Sequence, residues 1–148
     1  MDISKQSTIV DIISVLFMVL FLYTGISKLM DYSLFKEQIS TSPLLAPVAR
    51  YVAGGLPWAE FLVTILLIVP RWRLKGLNAS LGLMVMFTGY IIGILIFNKK
   101  IPCSCGGVLE ELSWKQHIIF NSAFIGLAVT GIVLLRRVQR EYKMKLAL

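Results

Sequence analysis

Charge is scarce in this chain: Asp, Glu, Lys and Arg make up only 16% of its 148 residues. A water-soluble domain carries roughly a quarter, so a soluble globular fold is excluded. Apolar residues stand instead, 57% of the chain with a mean hydropathy of +0.78. They are gathered in runs long enough to cross a bilayer, which takes about 20 helical residues. Histidine occurs once and cysteine twice. That leaves three internal candidates for a structural zinc site, which wants four ligands. No small-x-small cleavage site ends the first apolar run, and the run exceeds a typical signal-peptide core. It is therefore expected to be retained as a span. No internal repeat or low-complexity tract is evident.

The formal net charge of +7 does not point to nucleic acid, because the basic residues sit mainly in short segments beside the apolar runs. Such flanks suit anionic lipid headgroups. The partner expected from composition is the lipid bilayer, with no nucleic acid.

Four spans are predicted, at about residues 9–30, 51–70, 76–97 and 117–135, within one domain covering residues 1–148. The runs are continuous, whereas barrel strands are shorter and alternate, so helix is the form that satisfies the backbone in lipid. The expected fold is an all-α, polytopic membrane protein with a four-helix transmembrane bundle. Lys5, the "PRWRLKG" loop and the tail after Leu135 put nine basic residues on one side, against six on the other. The densest clusters flank span ends on that first side, which predicts cytoplasmic termini. The loop between spans three and four then faces outward, into the periplasm of a Gram-negative cell.

The segment between spans one and two holds "DYSLFKEQIS", with Leu34, Phe35 and Ile39 on one helical face. A short helix on the membrane surface is expected there, ended by Pro43 and Pro47. In span three, Gly82, Met86, Gly89 and Gly93 form one seam, the pattern of close helix packing, with a ligand slot as the weaker alternative. Glu60 lies near mid-span in "GGLPWAEFL", where a carboxylate must face the bundle interior or water. It reads as a structural tie to Lys28 or Tyr23, or as a proton relay, with Pro57 positioned to kink the helix beside it.

Both cysteines, Cys103 and Cys105, fall in "KKIPCSCGGVLEELSW" between the last two spans. A disulfide between residues so close closes a very small ring, and strained disulfides are the readily reduced ones. A structural staple gains more by joining distant segments. An oxidising compartment permits disulfide chemistry, and a redox-active pair is the leading reading. Two others stay open. Soft metals such as copper(I) or mercury suit thiolates, with His117 as a third ligand. Alternatively, the thiols carry no chemistry. Trp114, His117 and Asn121 follow at helical offsets of 0, 3 and 7, on the face that begins beside the cysteine loop. Trp114 reads as an interfacial anchor. His117 is a candidate to move protons to and from a thiol, and Asn121 to orient it or a quinone oxygen; helix–helix hydrogen bonding is the alternative for Asn121.

"YTGISKLMD" closing the first span, Glu60 after "GLPW", "CSCGG", and the pair Trp114 and Asn121 together resemble the MauE branch of the DoxX-like membrane proteins. The sequence departs from the family at Phe120, where a basic residue often precedes the Asn. The resemblance implies a four-helix bundle in the bacterial inner membrane, similar in outline to vitamin K epoxide reductase. It also implies thiol–disulfide maturation of periplasmic proteins beside a thioredoxin-like partner. Cys103, Cys105, His117 and Asn121 are the expected catalytic set, with Glu60 and Lys28 as intramembrane polar residues. No permanently bound cofactor is expected. A second cysteine pair within the membrane is absent, so electrons from Cys103 and Cys105 must pass to a lipid-soluble carrier such as a quinone, or to another protein. The competing functional readings are a non-catalytic accessory subunit of a larger complex and a soft-metal transport component.

Overall fold

A computed structural model of the chain describes residues 2–42, 44–97 and 114–147. Five α-helices account for nearly all of it: α1 (Ile3–Met30), α2 (Tyr32–Ser40), α3 (Ala49–Ile68), α4 (Arg73–Phe97) and α5 (Trp114–Leu146). A 3-10 turn over Ala46–Val48, with Pro47 in its first turn, leads into α3. All but α2 are long and apolar enough to cross a membrane. Cys103 and Cys105 lie outside the described residues.

Within its spanning part each long helix is apolar almost all round, the composition of a membrane span. What distinguishes its inner face is therefore size and polarity rather than hydrophobicity. On α1 the buried stripe runs Gln6, Val10, Ile13, Ser14, Phe17, Phe21, Thr24, Gly25 and Lys28, at steps of three and four. Ile12, Val15, Val19 and Leu22, between those positions, are exposed and face outward. Buried hydroxyls turn back on their own helices: Ser14 donates to Val10 O (2.7 Å), Thr64 to Glu60 O (3.0 Å) and Ser80 to Gly76 O (2.8 Å). Such back-bonding satisfies side chains that lipid cannot.

Side-chain contacts give the topology. Asp11 of α1 pairs with Arg73 at the start of α4, and Gly131 of α5 packs against Ile13 and Leu77. At the other end Lys28 of α1 meets Glu60 of α3. The four long helices therefore alternate in direction, and α1 and α4 each neighbour both α3 and α5. The core at the Asp11 end is solid, built from Val10, Ile13, Phe17, Leu67, Leu77, Ala128 and Ile132. Toward the Lys28 end the helices line a cavity, and α2 packs beside it on α3 through Phe35, Ile39, Ala49 and Ala53. Helix α2 is thus part of the bundle's packing, and only two of its three expected contact residues are buried: Leu34 is exposed.

Among the described residues, the glycine seam expected to pack against a neighbouring span does not: a Cβ on Gly82 or Gly89 would meet nothing within 4 Å, and Met86 is exposed. Gly93 is close to Leu44 of the segment after α2. The tight turn is elsewhere: a Cβ on Gly76 would stand 2.9 Å from the Leu67 amide nitrogen. Backbone cannot swing aside as a side-chain tip can. Gly76→Val is expected to cost about 1–3 kcal/mol through overpacking, whereas Gly82→Ala should be neutral or slightly stabilising through helix propensity. Thermal unfolding of the two variants in detergent, followed by circular dichroism, checks the contrast.

Candidate functional site

The cavity has a volume of about 430 Å³ and receives side chains from all five helices. Its polar groups arise from α1, α3, α4 and α5, with Tyr90 contributed by α4. On α1, Thr24 and Lys28 are one helical turn apart and point to the same side. On α3, Glu60 sits at the centre of the buried stripe Ala53, Pro57, Glu60, Val63, Thr64 and Leu67. Helix α3 continues through Pro57. On α5, His117 and Asn121 are likewise one turn apart and face inward.

Lys28 and Glu60 form an ion pair, with Nζ 2.8 Å from Oε1 and exposures of 3% and 0%. Lys28 Nζ also donates to Thr24 O at 3.3 Å, and Thr24 Oγ1 donates to Glu60 Oε1 at 3.1 Å. The ammonium lies 5.7 Å from the centroid of the Phe35 ring and 5.9 Å from that of Phe87, within cation–π range. Between the two ties that the sequence leaves open for Glu60, the structure selects Lys28; Tyr23 is 41% exposed. Lys28 is consequently a core residue rather than a flanking charge.

His117 and Asn121 are 2% and 3% exposed, and both line the cavity. They emerge from the first two turns of α5, the helix that follows the cysteine-bearing segment in the chain. Phe120, beside them, faces the cavity and packs on Phe124 (ring centroids 4.7 Å), which meets Phe17 edge-on (5.2 Å). An aromatic residue at position 120 thus extends the ring ladder of the core. The sequence links Glu60 with Lys28 or Tyr23 and puts His117 and Asn121 on one helical face; the cavity brings Lys28, Glu60, His117 and Asn121 to one space. The sequence does not point to Thr24, Phe87 or Tyr90 as members of the site, and it marks Phe35 only as part of the apolar face of the short helix; all four share the cavity wall. Thr24 carries one usable signal, its position four residues before Lys28; the others are ordinary apolar or aromatic positions in a membrane helix.

Chemically, the site is a neutral apolar chamber with a few fixed polar atoms, the usual composition of a small-molecule pocket. Comparison with curated proteins and with solved structures gave no match. Residues 6–134, most of the chain, match the family described as methylamine utilisation protein MauE, and this multi-pass membrane protein belongs to that family.

Proposed function

We propose that the protein is a thiol–disulfide redox component of the bacterial inner membrane, exchanging disulfides through Cys103 and Cys105 with a periplasmic thioredoxin-fold protein. The observation that supports it most directly is the inward placement of His117 and Asn121 in the first turns of α5. The segment bearing the thiols joins the end of α4 to the start of that helix. The polar side chains best suited to proton handling therefore stand at the bundle end that this segment connects.

In the exchange, one thiolate attacks a sulfur of the partner's disulfide, forming a mixed disulfide and releasing the partner's other sulfur as thiolate. The second cysteine then attacks the mixed disulfide. Cys103 and Cys105 become a disulfide, and the partner leaves as a dithiol, two electrons richer. The reverse sequence oxidises the partner. Orientation with both termini in the cytoplasm puts the pair in the oxidising compartment. The basic residues of the α3–α4 turn and of the α5 tail gather at the Asp11 end of the bundle, which supports that orientation.

Cys103→Ser and Cys105→Ser separate this from the accessory reading that the family name also favours. One single variant is expected to accumulate a covalent adduct with a soluble partner, visible on non-reducing gels and lost on reduction. The adduct should be absent from the double variant. If neither variant traps an adduct and the double variant keeps full function in cells, the thiols are not the working groups and the bundle serves as an anchor. Tagging of the thiols by a membrane-impermeant reagent in intact cells tests the orientation.

A further inference from the structure

Glu60 Oε2 and Asn121 Nδ2, on two of the cavity-lining residues, have no hydrogen-bond partner among the described residues. Glu60 Oε2 is a buried acceptor, although Oε1 of the same carboxylate is held by Lys28 and Thr24. Asn121 Nδ2 is a buried donor. Buried polar atoms in native proteins are nearly always matched. One orphan acceptor and one orphan donor, on helices facing a common void, are complementary to a guest that offers the opposite of each.

The void constrains that guest further. About 430 Å³ falls within the roughly 300–1,000 Å³ of small-molecule sites. Most of its wall is carbon, including Phe21, Leu83, Met84, Phe87 and Phe120. Lys28 and Glu60 already balance each other, so a charged guest would bring an uncompensated charge into the membrane interior. A neutral guest would not.

We propose that the cavity binds a neutral, mainly apolar molecule whose head both accepts and donates hydrogen bonds, of the hydroquinone class. Asn121 Nδ2 donates to a head oxygen, and a head hydroxyl donates to Glu60 Oε2. The choice of a hydroquinone among neutral amphiphiles rests on the proposed redox function, which needs a lipid-soluble two-electron carrier; the pattern of donor and acceptor does not rest on it. An oxidised quinone has carbonyl acceptors and no hydroxyl. It satisfies Asn121 and leaves Glu60 Oε2 unmatched, so the site favours the reduced form.

The test uses full-length protein carrying Cys103→Ser and Cys105→Ser, purified in detergent and kept anaerobic, so that no thiol exchange contributes. Decylubiquinol, decylubiquinone and the dimethyl ether of decylubiquinol are titrated against the thermal unfolding midpoint, which rises as a ligand binds the folded state. Decylubiquinol is expected to bind about tenfold more tightly than the quinone, the worth of one hydrogen bond. The dimethyl ether, which keeps the oxygens and loses the hydroxyl donors, should bind no better than the quinone. Asn121→Leu, which leaves the Lys28–Glu60 pair intact, should weaken both quinone and quinol about tenfold. The proposal is overturned if no ligand gives a saturable shift, if the dimethyl ether matches the quinol, or if Asn121→Leu binds as the parent does. None of these outcomes bears on thiol exchange, because the protein tested has no cysteine; conversely, a failed capture of a mixed disulfide leaves the binding result standing.

Discussion

Lys28→Met is expected to destabilise the folded bundle by about 3–5 kcal/mol, the cost of stranding a buried charge. Lys28 and Glu60 are 3% and 0% exposed, and the ammonium supplies the shortest contact to the carboxylate, at 2.8 Å. Without it, Glu60 Oε1 keeps only the Thr24 hydroxyl, and Oε2 has no partner among the described residues. Lipid outside the bundle offers no water to take over. The double variant Lys28→Met/Glu60→Leu removes both charges together, and buried pairs replaced in this way commonly lose little or even gain stability. Its expected unfolding midpoint in detergent is therefore at or above that of the wild type, and far above that of the single variant. Should the single and double variants unfold alike, the two residues do not act as a unit. The same double variant removes the carboxylate from the cavity. A bundle that is more stable yet no longer distinguishes quinol from quinone would show that the pair is kept for the site rather than for the fold.

That pair also marks the limit of what sequence patterning conveys. Four spans, their helical form and their alternation follow from apolar run length and from the backbone's need for internal hydrogen bonds in lipid. Boundaries are less legible. Helix α5 runs to Leu146, well past the expected end at Leu135, because Arg136, Arg137 and Arg140 end the apolar run without ending the helix. Lys28 looks like a flanking charge in the sequence because position along a helix is readable, whereas rotation about its axis is not when every face is apolar. For the same reason the seam of Gly82 and Gly89 suggests an interface that it does not make among the described residues. Small residues permit close approach but do not create it, and the helix turns Leu77, Ser80 and Met84 inward instead. Polar residues are more informative. Glu60, His117 and Asn121 face inward because lipid cannot solvate them, so their rotation is dictated by chemistry that the sequence displays. The cavity they share is not legible, since it is lined by residues of all five helices, and how those helices pack together is not written in any one run of sequence.

The rotational ambiguity yields a second large effect, on two neighbouring positions of α1 that look alike in sequence. Phe17 is fully buried, stacks on Phe21 at 5.8 Å and receives Phe124 edge-on at 5.2 Å. Val19, two residues on, is 62% exposed and faces outward. Phe17→Ala is expected to cost about 3 kcal/mol, at the low end of the range for large-to-small core changes. Lipid chains are as apolar as the core, so little is lost in transfer and the cost comes from packing. The vacated ring position forfeits dispersion contacts and both aromatic pairings, each worth about 0.5–1.5 kcal/mol. Val19→Ala opens no internal void, because lipid or detergent closes over the site, and its expected change is within about 0.5 kcal/mol. Unfolding both variants in the same detergent measures the difference. Equal losses at the two positions would mean that Phe17 is not in the core and that α1 is turned about its axis, with a different stripe facing inward. Such a rotation would also carry Thr24 and Lys28 away from Glu60, so this single comparison tests the packing of the bundle and the assembly of its polar site together.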